Sequence, residues 1–165
     1  MRASWLPALL LSLSLLALFA APAEAQPVFG WTPWNGQVPP NAVVVGHDDV
    51  QNVPLYVCHG PHRGGVHPGK FIFGHCNIGW GGAEVVLDSF EIMVQVGPGR
   101  WQLDGQMPQP NTVVGGFENG HPLFVCLADY RGQHPGKLVD GTCNIGWGGR
   151  ERRVHNFQLL LYVPG

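Results

Sequence analysis

The sequence predicts an all-β, antiparallel, sandwich-like domain built from two tandem pseudo-symmetric repeats. Three observations carry that prediction. The heptapeptide Cys-Asn-Ile-Gly-Trp-Gly-Gly occurs at 76–82 and again at 143–149, and His-Pro-Gly-Lys occurs at 67–70 and again at 134–137, both at an offset of 67. Repetition at such a period marks two copies of one structural unit, so a site built from repeated residues should come as a pair. Apolar residues then alternate with period two, as Phe90, Ile92, Val94 and Val96 in the first copy and Phe157, Leu159, Leu161 and Val163 in the second, the spacing of a half-buried strand. Finally, 24 Gly and 15 Pro leave long helices little room to form.

Taken in order, the chain opens with Met1-Arg2, an apolar stretch from Trp5 to Ala21, and Ala23-Glu24-Ala25. A short positive start followed by an apolar run and an Ala-x-Ala site describes a cleavable secretory signal over residues 1–25. The run from Ala8 to Ala21 is short of the ~20 residues that a membrane span needs. The mature chain, 26–165, is therefore expected to be a soluble, secreted, extracellular single domain. Removing Arg2 and Glu24 leaves 8 basic against 10 acidic side chains, which does not resemble the basic footprint of a nucleic-acid binder. No polybasic or amphipathic helical stretch offers a membrane-surface anchor, so membrane insertion is not expected either.

Repeat one runs from about 31 to 97 and repeat two from about 100 to 165. Gly-Gln-Val-Pro at 36–39 answers Gly-Gln-Met-Pro at 105–108, and Pro54-Leu55-Tyr56-Val57-Cys58 answers Pro122-Leu123-Phe124-Val125-Cys126. Short insertions fall where Gly, Pro and Asn mark turns. Runs such as Val43-Val44-Val45 and Leu55-Tyr56-Val57 between such punctuation read as strands. The tetrads 67–70 and 134–137 read as type II turns, with Pro second and Gly at the position that demands a positive φ.

In a secreted chain Cys58, Cys76, Cys126 and Cys143 are expected to be oxidised. Three pairings are open; Cys58–Cys76 with Cys126–Cys143 closes a short loop within each copy and is preferred. Zinc held by Cys and His is the alternative, although no Cys-x-x-Cys pair is present. His59, His62, His67 and His75 suggest a metal cluster, but only His67 has a counterpart, His134, and no metal or other cofactor is expected. Trp80 and Trp147 are assigned to the core, with stacking on a sugar as the other reading. Asn77 and Asn144 suit turns better than ligands. Ser89 is the sole serine of the mature chain, and neither Gly-x-Ser-x-Gly nor His-Glu-x-x-His occurs, so a catalytic role finds little support.

Trp34-Asn35-Gly36, Pro40-Asn41-Ala42, Gly46-His47-Asp48, Pro54-Leu55-Tyr56-Val57, Lys70, Cys76-Asn77-Ile78 and Gly81-Gly82-Ala83-Glu84, with their counterparts in copy two, together resemble a DM9 repeat. The resemblance covers the chain from about Trp31 to its C-terminus. It implies a tandem-repeat β domain and, as in similar mollusc lectins, recognition of mannose by an acidic residue and the Lys of Pro-Gly-Lys. Those positions fall on Asp48 and Lys70 in copy one and on Glu118 and Lys137 in copy two. The expected function is thus a lectin for mannose-containing glycans in innate immune recognition of microbes, with a homodimer left open; the alternative is a non-catalytic secreted structural or protein-interaction module. Copy two carries the longer Glu118, and copy one has extra residues around Asp49–Val53, so the two sites are expected to differ.

Overall fold

The computed structural model describes residues 28–165, and the secretory-signal reading over 1–25 lies outside them. Each repeat supplies seven strands in the same order. Copy one has β1 (Phe29–Pro33), β2 (Val44–Asp48), β3 (Val53–His62), β4 (Gly65–Ile72), β5 (His75–Trp80), β6 (Ala83–Leu87) and β7 (Glu91–Gln95). Copy two has β8 (Gly99–Asp104), β9 (Val114–Glu118), β10 (His121–Asp129), β11 (Gly132–Val139), β12 (Thr142–Trp147), β13 (Arg150–Val154) and β14 (Phe157–Pro164). All ladders are antiparallel, as the alternation and the turn residues predict.

What closes the sheet is exchange between the copies. β2 pairs with β3 and β3 with β4, β9 with β10 and β10 with β11, while β4 pairs across to β9 and β11 across to β2. These six strands form a closed ring, which removes the unpaired edges that β2 and β9 would otherwise expose. Two glycines permit the crossings. A Cβ at Gly46 would collide with the Gln133 carbonyl oxygen, and one at Gly116 with the Val66 carbonyl oxygen. A third crossing joins β6 to β13 at Ala83 and Arg150.

Inside the ring lies a cluster drawn from both copies: Val43, Val45, Val57 and Met93 with Val113, Val125, Leu127 and Leu160. Each copy also keeps its own cluster around its disulfide, with Ile78, Phe90 and Ile92 in one and Ile145, Phe157 and Leu159 in the other. Period two therefore holds only in part on β7 and β14. Ile92 and Leu159 face the copy's own cluster, whereas Met93 and Leu160 on the opposite face fill the shared one. The disulfides join Cys58 to Cys76 and Cys126 to Cys143, the preferred pairing.

The tetrads are not turns, which corrects the sequence reading. His67-Pro68-Gly69-Lys70 lies in the middle of β4 and His134-Pro135-Gly136-Lys137 in the middle of β11. Proline normally argues against a central strand because it lacks a ladder donor. Here it sits where the neighbour changes: β4 meets β9 at Val66 and β5 from Lys70 onward, with Pro68 in the gap. Gly69 and Gly136 are required by close approach, since a Cβ at either would strike the carbonyl oxygen of Asn77 or Asn144.

Candidate functional site

Because Lys70 sits mid-strand, it does not project from a turn but lies in a cleft between the repeats. It is 4% exposed, and its equivalent Lys137 is 2% exposed. Site one is a cleft of about 310 Å³ lined by Asp48 at the end of β2, Lys70 on β4, Asn77 on β5, Glu84 on β6 and Trp147 on β12 of the other copy. Lys70 Nζ forms an ion pair with Glu84 Oε1 at 3.4 Å. Burial pulls the Lys70 ammonium below its usual pKa, while Glu84 and Asp48 push it back up. Glu84 Oε2 also accepts the Gly149 N–H at 2.8 Å, so the carboxylate ties the lysine to the opposite repeat.

Asp48 is placed by the β2–β3 turn. Its Oδ1 accepts the N–H groups of Val50 and Gln51, both at 2.9 Å, the local pattern by which an Asp side chain stabilises a turn. The extra residues of copy one are thus held by the same side chain that the sequence assigns to ligand.

Site two repeats the framework with different partners. Its turn is the two-residue Asn119-Gly120, with φ of 51° and 78°, the favoured Asn-Gly hairpin connection. Glu118 is therefore free of the turn and accepts the indole N–H of Trp80 at 3.0 Å. That bond, outweighing its partial burial, holds the Glu118 carboxyl below the usual range. Lys137 donates to His67 Nδ1 at 2.9 Å, and His67 Nε2–H donates to the His62 carbonyl at 3.0 Å. Burial, reinforced by Lys137, lowers the His67 pKa. Burial likewise lowers Lys137, against Glu118 and Glu151. Glu151 accepts from Asn144 at 3.0 Å and from the Gly82 N–H at 2.8 Å, mirroring Glu84.

Each site is therefore composite. The acid, Lys, Asn and Glu come from one copy, and Trp and His from the other. In site one the partner histidine is His134, fully buried, with neither ring nitrogen at hydrogen-bond geometry to any acceptor. Its pKa is lowered by burial first and then by Lys70. Sequence reasoning paired Asp48 with Lys70 and Glu118 with Lys137, and the fold does bring each pair to one site. It noted Glu84 with Glu151 and His67 with His134 but assigned none of them to the sugar site, although all four repeat at the offset of 67. Trp80 and Trp147, assigned to the core, each pack one side against a disulfide cluster but remain half-buried and border a site. Among the described residues no group of three or more His, Cys, Asp or Glu is arranged to hold a metal ion.

The DM9 repeat model matches residues 16–75 and 49–154, more than half of the chain. The chain belongs to the DM9 repeat family. No curated protein matches it. Among solved structures, the nematode sperm cell motility protein MFP2B is similar, with a TM-score of 0.57 at 18% identity over 83% of this chain and 45% of that one. This DM9 chain thus spans less than half of that protein's length, and the likeness is one of fold.

Proposed function

We propose that this DM9 protein is a secreted, non-catalytic lectin that binds mannose-type glycans, with site one as its principal site and a role in innate recognition of microbes. The observation that supports this reading most is a buried ammonium set between Glu84 and Asp48 in an open cleft with an indole on its wall. An ammonium and carboxylates offer donors and acceptors to adjacent sugar hydroxyls, and an aromatic face suits a sugar's C–H face. The cleft volume falls at the lower end of small-ligand sites, roughly 300–1,000 Å³. Two disulfides suit an oxidising compartment, in keeping with a secretory signal.

A second reading, a protein-interaction module, is favoured by the structural work of the same carboxylates. Glu84 and Glu151 each tie a Lys or Asn of their own copy to a backbone N–H of the other. Calorimetry with mannose and a glycan array on the wild type and on Lys70→Met/Glu84→Gln would decide. The double change avoids stranding a buried charge, which by itself costs about 3–5 kcal/mol of stability. Loss of charge-assisted hydrogen bonds worth ~1.5–3 kcal/mol should weaken binding about tenfold to a hundredfold. A folded wild type that binds no glycan would leave the interaction module standing in its place.

A further inference from the structure

Copy two carries Arg150-Glu151-Arg152-Arg153 on β13 where copy one has Ala83-Glu84-Val85-Val86 on β6. Register puts Arg150 opposite Trp147 and Arg152 opposite Ile145, so both arginines stand on the face that carries the Trp147 indole. Arg131 joins them from the β10–β11 turn. Its guanidinium carbon lies 5.1 Å from the Trp147 ring centre, and that of Arg152 lies 6.0 Å from the rings of both Trp147 and Tyr130. Of the three arginines, Arg152 also lines a cleft of about 680 Å³, together with Tyr130, Glu151, Arg153 and His155 among others.

No carboxylate among the described residues lies within ion-pair distance of these arginines, although Asp49 is joined to Arg131 through the backbone. The close carboxylate contacts among the described residues, the Lys70–Glu84 ion pair and the contacts to the His47, His59 and His67 rings, engage no arginine. Glu151, the acid within the cleft, has its two oxygens occupied by Asn144 and the Gly82 N–H. Ring faces attract guanidinium charge but do not accept its in-plane N–H donors, and Arg152 Nε is buried without an acceptor. A buried donor left unmatched is costly. Oxyanions are the groups that guanidinium forks match best.

The geometry points to an anion subsite on this face, formed by Arg131, Arg150 and Arg152, that takes a sulfate or phosphate ester carried on a glycan. Trp147 is the link, since the same indole lines the cleft of Lys70 and Asp48. A saccharide seated there would place a charged substituent over the arginines. This rests on the lectin reading only in taking a saccharide as the carrier. The chain's net charge of −2 gives no general attraction to polyanions, so retention requires a local cluster.

The test compares wild type, Arg131→Gln/Arg152→Gln and a control, Arg63→Gln/Arg100→Gln, which removes equal charge elsewhere. Probes are dextran sulfate, phosphorylated mannan, neutral mannan and duplex DNA, with circular dichroism to check folding. Wild type should bind dextran sulfate or phosphorylated mannan in a salt-sensitive way, and the two polymers separate sulfate from phosphate. The Arg131/Arg152 variant should lose at least tenfold on the charged polymers with neutral mannan unchanged, and the control should match wild type. Equal loss in the control, no loss in the Arg131/Arg152 variant, no wild-type binding to either charged polymer, or equal binding of duplex DNA would overturn the assignment. Arginine-dependent binding of dextran sulfate without any binding of neutral mannan would overturn the mannose reading at Lys70 and leave this one intact.

Discussion

Site one and site two share a framework and differ in one turn. In copy one the longer Asp49–Asn52 turn recruits the Asp48 carboxylate to its backbone, so the lysine beyond it pairs with Glu84 and the cleft stays lined by Trp147. In copy two Asn119-Gly120 needs no such support, Glu118 takes the Trp80 indole N–H, and Lys137 turns to His67. Turn length and side-chain length change together: the shorter Asp48 serves the longer loop, and the longer Glu118, beside a two-residue turn, latches the tryptophan of the other repeat. Duplication preserves the ring while the sites diverge at its rim.

The largest effect should be the one the copies share. Gly46→Ala and Gly116→Ala each drive a methyl into a backbone carbonyl at a crossing between repeats, which neither side chain movement nor repacking relieves. Both variants should lose the cooperative thermal transition, at a cost beyond ~4 kcal/mol, and for the same reason residues 100–165 expressed alone should not fold. A normal melting curve from either glycine variant would break the symmetry of the ring.

Next come the disulfides, which close loops of separation 18 and 17. Replacing either pair by Ser should cost about 3 kcal/mol on the loop-entropy account, read as a lower urea midpoint. Clearly unequal losses would show that the two halves differ in more than their sites.

Smaller still is the effect of unlatching site two. Trp80→Phe removes the donor to Glu118 and should open that site, raising mannose affinity in a Lys70→Met/Glu84→Gln background by about tenfold, the worth of one charge-assisted bond. Calorimetry reads this directly. Unchanged affinity would mean that Lys137, held by His67, is the real obstacle.

The smallest effect concerns pH. His67 and His134 both have lowered pKa values because of burial and a facing lysine. Below about 6.5 the unfolded chain then binds the proton more readily than the folded one, so the contribution of these two histidines to stability is complete above that pH and is lost as pH drops through it. The urea midpoint at pH 5 should lie below that at pH 7.5, and His67→Gln should lessen the gap. A steeper gap in that variant would contradict the assignment of a neutral His67 donating to the His62 carbonyl.

Much of this was legible in the chain. Doubled motifs announced two copies, period-two alternation and Gly and Pro punctuation announced strands, and short cysteine separations favoured bridges within each copy, because each of these signals is local. Asp48 with Lys70 and Glu118 with Lys137 were paired through resemblance to a family, and the fold brings each pair into one site. The tetrads misled because Pro-Gly is a turn signal in isolation. Its use in β4 and β11 depends on neighbours that change partner at Pro68 and Pro135, and on a carbonyl pressed against Gly69 and Gly136. Closure of the ring, burial of both lysines, and the loan of Trp147 and His134 to one site and of Trp80 and His67 to the other come from pairings about 50 to 86 residues apart along the chain. No local pattern encodes such distant partners; only the folded chain, by sharing one apolar core between two copies, decides which strands cross and therefore which side chains meet.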